Sequence, residues 1–220
     1  MAVRNANDAI SMVQTADGAL IEIEAMLQRM RELTVQGASG TYSTTDISAL
    51  NSEFTGLRDE IFRIVENTQW NGEGLLDGDV TGSVNDAEVD FQVGANASQT
   101  ISVDFGDFET AVDMGANFAD DLTISSNTDS GTALGYVNTA ITNVNSQRAI
   151  FGAAINRLEY AADNLSNVSQ NTSASRSRVL DADYASETTE LARTQIIQQA
   201  ATAMLSQANQ QAQSVLALLK

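Results

Sequence analysis

The sequence predicts a mainly α-helical protein: an elongated antiparallel rod of coiled-coil-like helices with a small β-hairpin-containing insert. Three observations carry that prediction. Apolar residues recur at spacings of three and four in four separate segments. Proline is absent, so no helix is kinked or stopped by a missing N–H. Aromatic residues make up only 5% of a chain that is 43% apolar, which suits aliphatic helix seams better than a bulky globular core.

The first repeat is Val13, Ala16, Leu20, Ile23, Leu27 and Met30. It ends at QGASGTYSTTD (36–46), whose glycines, serines and threonines predict a loop between antiparallel helices. Thr45 or Asp46 is expected to cap the next helix by accepting hydrogen bonds from its free N–H groups. The second repeat is Ile47, Leu50, Phe54, Leu57, Ile61 and Ile64, followed by TQWNGEG (68–74), a turn carrying Asn-Gly. In DFQVGANASQTISVDF (90–105), Phe91 and Val93, then Ile101, Val103 and Phe105, alternate on either side of a Gly-Asn-Ala-Ser loop, as a β-hairpin requires.

The third repeat runs Val137, Ile141, Val144, Arg148, Phe151, Ile155, Leu158, Ala162, Leu165. It predicts one helix over about 131–168, roughly 55 Å long. Arg148 interrupts this apolar row. The preferred reading is a side chain whose stem packs while its head reaches water; the alternative is a buried ion pair that fixes helix register. The fourth repeat holds Ala201, Leu205, Ala208, Ala212, Val215 and Leu219, with Leu191 upstream. These residues form one stripe of a helix that nothing in the sequence covers. An isolated helix of this length is marginal in water, so the segment should be mobile until a partner covers it. The resulting division is a helix pair (1–72), a short acidic β-rich insert (73–130), a return helix with its connector (131–184) and a terminal helix (185–220).

Composition excludes several functions. The net charge is −18, which repels nucleic acid and anionic membrane surfaces. No apolar run approaches the ~20 residues of a membrane span, and Met1 is not followed by a cleavable signal peptide. With no His, no Cys, no phosphate-binding glycine loop and no HExxH motif, an enzyme is not predicted, nor is a cofactor. Residues 64–147 hold 14 acidic side chains and no basic one. DGDVTGSVNDAEVD (77–90) lacks the EF-hand spacing and its closing Glu, so a solvated outer surface is expected there instead of a metal site. Glu187, Glu190 and Arg193 read as a solvated salt-bridge face.

NANDAISMVQTADGALIEIEAMLQRMRELTVQGASGTYS (5–43) resembles the amino-terminal conserved region of bacterial flagellins. The resemblance continues to TQWNG (68–72), and FQVGANASQTISV (91–103) looks like the hairpin of their inner domain. From NSQRAIFGAAINRLEY through RSRVLDADYASET to QANQQAQSVLALLK (145–220), the chain is similar to the flagellin carboxyl terminus throughout. The family pattern begins roughly fifty residues before AVRNAND with a segment that coils on the terminal helix, so the sequence is expected to lack that segment. Ala212 stands where many members have Pro, and Lys220 where they have Arg. The short insert leaves no room for large outer domains, which makes this a minimal flagellin core.

The resemblance implies a structural subunit that is exported through the flagellar channel and polymerises into the extracellular filament. Residues 5–167 would form the inner domain. The stripe Leu191, Ala201, Leu205, Ala208, Ala212, Val215, Leu219 would contact other flagellin subunits or an export chaperone. Filament cap and junction proteins are further implied partners, as is a Toll-like receptor contacted at Arg29, Leu33 and Glu53, which also match inter-subunit contacts. The plain alternative for Arg29 is an ion pair one turn along its own helix. Ser125, Ser126, Thr128 and Ser130 match the sugar-acceptor chemistry of some members. The competing functions are the related hook–filament junction protein and a surface or immune-recognised module that does not polymerise.

Overall fold

The structure is a computed structural model describing residues 1–78, 87–108, 122–181 and 183–218. Its elements are α1 (Ala2–Gly37), α2 (Thr44–Asn67), β1 (Gln69–Trp70), β2 (Glu73–Gly74), β3 (Glu88–Gln92), β4 (Thr100–Asp104), α3 (Asn127–Leu180) and α4 (Tyr184–Leu218). Two compact units result, Met1–Val168 and Ser169–Lys220. The predicted helical class with a small β insert is observed. Part of the acidic stretch 77–90 lies outside the described residues.

In the first unit, α1 buries Ala9, Val13, Ala16, Leu20, Ile23, Leu27 and Met30, the predicted stripe with one turn added. It stops where Gly37 meets α3. A Cβ at Gly37 would lie 2.7 Å from the Ser130 hydroxyl, so only glycine permits this approach. The Asn127 side-chain amide reaches the carbonyl end of α1 and satisfies groups the helix leaves free.

The start of α2 differs from expectation. Ser43, not Thr45 or Asp46, is the N-cap: its Oγ accepts the Asp46 N–H at 3.3 Å, and Asp46 Oδ2 accepts the Ser43 N–H at 3.1 Å. Asp46 therefore closes a capping box from the third helical position, two orphan donors being satisfied reciprocally. Ile47, Phe54, Ile61 and Val65 face inward.

Asn71 (φ 54) and Gly72 (φ 92) both take positive φ between β1 and β2, the backbone that an Asn-Gly hairpin turn requires. Buried Leu75 and Leu76 then anchor the chain to the core. The strands β3 and β4 pair antiparallel, with Val89 opposite Val103 and Phe91 opposite Ile101. Two side chains tie this hairpin to helices: Asn5 Nδ2 donates to the Gln92 carbonyl at 3.1 Å, and Gln147 Nε2 to that of Asp104 at 2.6 Å. Phe105 packs its ring on Phe151 with centroids 5.5 Å apart.

The third helix is longer than the predicted 131–168. It starts at residue 127 because Ser126 Oγ accepts the Asp129 N–H at 3.2 Å. It runs to Leu180 because no Gly or Pro follows Gly152 to stop it. Its seam is also shifted. The buried residues are Ser130, Ala133, Val137, Ala140, Val144, Gln147, Phe151, Ala154 and Leu158. Ile141, Arg148 and Ile155 sit half-buried on the flank. Size misled the sequence reading: the larger isoleucines border the seam, and small alanines occupy its narrow positions.

Candidate functional site

The second unit contains the helix α4. Asp183 opens it, its Oδ1 accepting the Ala185 N–H at 3.0 Å and the Ser186 N–H at 3.4 Å. Several of its hydroxyls bond within the helix: Thr188 donates to the Tyr184 carbonyl, Thr189 to that of Ala185 and Thr194 to that of Glu190. Arg193 pairs with Glu190 at 3.3 Å in the open, as the solvated-face reading predicts.

The apolar side chains have no such internal partners. Every residue described in burial terms from 183 to 211 is exposed. Leu191 is 58% and Leu205 65% exposed, with Ala201 and Ala208 open on the same stripe. The sequence reading missed Ile196, Ile197 and Met204, which are also exposed and widen the apolar surface. For two of them the signal is present: Ile197 and Met204 join Ala201 and Ala208 in a second four–three–four series that shares those alanines with the predicted stripe. Ala212 and Val215 lie on the last turns of α4, and Leu219 lies outside the described residues.

In the first unit, Arg29 and Glu53 come together. Arg29 Nε lies 2.8 Å from Glu53 Oε1 on α2, and its Nη1 lies 2.8 Å from Glu32 Oε2 one turn along α1. The hydrogen bonds that Arg29 donates to Glu53 and then to Glu32 raise the guanidinium pKa. Leu33 does not join them. It is fully buried among core side chains, whereas Arg29 and Glu53 are exposed. Ser130 is likewise buried, its hydroxyl donating to the Ser126 carbonyl at 2.8 Å, which removes it from the accessible hydroxyls.

Arg148 stands between the two expectations, ion-paired as in the alternative reading yet still partly exposed as in snorkelling. Its Nε lies 3.0 Å from Asp17 Oδ1 and its Nη1 2.6 Å from Glu24 Oε2, so the head is clamped between two carboxylates of α1. The three side chains are 32%, 29% and 22% exposed. The Asp17 hydrogen bond is the main cause raising the Arg148 pKa, against a smaller opposing effect of burial. Among the described residues no group of three or more His, Cys, Asp or Glu side chains could hold a metal ion, and no helix is long and apolar enough to cross a membrane.

Comparison with known proteins matches these features. Residues 1–81 fit the family model for the bacterial flagellin N-terminal helical region, and residues 134–219 that for the C-terminal helical region. The flagellin of Halalkalibacterium halodurans is 43% identical over 219 residues, covering 100% of this chain and 78% of the relative. That of Bacillus subtilis is 41% identical, covering 100% and 80%. The crystal structure of Bacillus cereus flagellin superposes with a TM-score of 0.63 at 30% identity, over 79% of this chain and 94% of that one. A putative flagellar hook-associated protein from Vibrio parahaemolyticus shares the fold alone, at 16% identity and a TM-score of 0.63 over 78% and 86% of the two chains. With both family regions matched in order and full-length relatives above 40% identity, the chain belongs to the bacterial flagellin family.

Proposed function

We propose that the exposed stripe of α4 is the surface through which this chain assembles. As a flagellin it is a structural subunit of the extracellular flagellar filament and polymerises with other flagellin subunits. The junction-protein reading is not favoured, because the full-length relatives at 43% and 41% identity are flagellins. The non-polymerising module is not favoured on the same ground. The observation that carries the α4 assignment is the run of exposed Leu191, Ile197, Ala201, Met204, Leu205 and Ala208 along one helix. Apolar surface of this kind is stabilised by removal from water, at about 25 cal/mol per Å². Contacts between unlike surfaces of successive copies need not close, and an open screw gives a filament.

The same stripe suits an export chaperone with an apolar groove that shields it until assembly, and export through the flagellar channel fits a chain without Cys, which no disulfide can lock in a compact state. Cap and junction proteins that share the helical ends would meet this surface too. A Toll-like receptor would meet the exposed Arg29–Glu53 pair. The test is seeded polymerisation of the wild-type chain and of Leu205→Glu. Filaments extended by wild type but not by Leu205→Glu support the assignment, and equal extension by both rejects it.

A further inference from the structure

We infer that Arg148 is a positioning residue that selects one register between α1 and α3 and works against a slip of one heptad. The two helices run antiparallel. Gly37 meets Ser130 at one end, and Asp17 and Glu24 bracket Arg148 further along. The half-buried column of α3 is Leu134, Ile141, Arg148, Ile155 and Ala162, one charge in an apolar row. The Arg148 partners Asp17 and Glu24 belong to a series on α1 that reads Ile10, Asp17, Glu24, Arg31 at the same seven-residue interval.

That pair of columns makes register a matter of charge. In the observed register, one cation lies between two anions. A slip of one heptad in one direction would place Arg148 between Glu24 and Arg31, losing a carboxylate and gaining a like charge. A slip in the other direction would place it between Ile10 and Asp17, and would set Ile141 against both Asp17 and Glu24. The apolar seam repeats at the same interval, since Val137, Val144, Phe151 and Leu158 lie seven residues apart, so a heptad slip still sets apolar against apolar and changes only the fit of side-chain size. Single polar groups that fix register at a cost in stability are a known device of coiled coils, and both carboxylates here keep enough water contact for their desolvation to be moderate.

The chain has no Cys, so introduced pairs report register directly. A Cβ at Gly37 would lie 3.4 Å from that of Ser130, close to disulfide geometry. The double variant G37C/S130C should cross-link in the parent, and M30C/S130C, one heptad away, should not. Adding Arg148→Leu should cut G37C/S130C cross-linking severalfold and make M30C/S130C cross-linking appear, whereas Arg148→Lys should leave both as in the parent. If Arg148→Leu fails to fold, the charge-reversed set R148E/D17R/E24R decides. Native cross-linking in a folded charge-reversed protein supports the inference, and loss of native cross-linking there overturns it. Unchanged G37C/S130C cross-linking in a folded Arg148→Leu protein also overturns it.

Discussion

The two units use the same raw material in opposite ways. In residues 1–168 the three–four repeat is closed: the stripes of α1, α2 and α3 bury one another, and the hairpin adds Ile101, Val103 and Phe105 to the same core. In the second unit an equally regular repeat stays open among the described side chains through residue 211. Charge divides along the same line. The first unit carries 25 acidic and seven basic residues, the second four of each, so the net −18 lies wholly in the first. A strongly charged unit is kept soluble by water. A neutral, exposed, apolar helix is suited to packing among other chains, where unpaired charge would be costly. Periodicity therefore reports that a helix has an apolar face, and the charge balance indicates which faces are left for a partner.

Substitutions sharpen that contrast, beginning with the largest effect. Phe54→Ala and Phe151→Ala each empty a fully buried ring site of the first unit and should cost about 3–5 kcal/mol, seen as a lower midpoint in denaturant. Leu205→Ala, at an exposed site of the second unit, should change monomer stability by no more than about 0.5 kcal/mol while weakening polymerisation. A Leu205→Ala loss as large as the phenylalanine losses would erase the distinction between the units. Gly37→Ala adds a methyl where Ser130 already sits and should cost about 1–3 kcal/mol. Ser43→Ala removes the capping box of α2 and should cost about 1 kcal/mol, measured by thermal melting.

The smallest effect is pH-dependent. Hydrogen bonds from the Ser43 hydroxyl and then its backbone N–H hold the Asp46 carboxyl below its usual range, as those of Ser126 and Ser125 do for Asp129. Both groups bind protons less readily when folded. Their contribution is thus complete above the unfolded value near ~4 and is lost as pH falls through the lowered folded value. Melting temperature should fall on acidification across that window, and the Asp46→Asn and Asp129→Asn variants should show a shallower fall. Identical slopes in parent and variants would remove the caps from the explanation.

Much of the fold was legible. The Asn-Gly turn, the Phe91–Ile101 hairpin and the stripe of α1 follow from local rules of backbone and spacing. In α2, Ile47, Phe54 and Ile61 are buried as expected, while Leu50, Leu57 and Ile64 are half-buried and Val65 takes a core position. The seam of α3 was misplaced at alternate positions, because hydrophobicity favours Ile141 over Ala140 whereas close helix packing favours the smaller side chain. The long-range partners were not legible. Nothing local to Arg148 names Asp17 or Glu24, more than 120 residues earlier, and nothing local to Leu33 separates it from its exposed neighbour Arg29 except the stripe to which it belongs. At the candidate site the predicted stripe leaves out Ile196, Ile197 and Met204, which are exposed on the same helix.

Hydrogen exchange of residues 184–211, measured in the monomer and again in assembled filaments, addresses the open stripe most directly. Fast exchange in the monomer and strong protection in the filament are the predicted result. Equal, strong protection in both states would mean that the α4 stripe already has its cover within a single chain, and would contradict its role as the assembly surface.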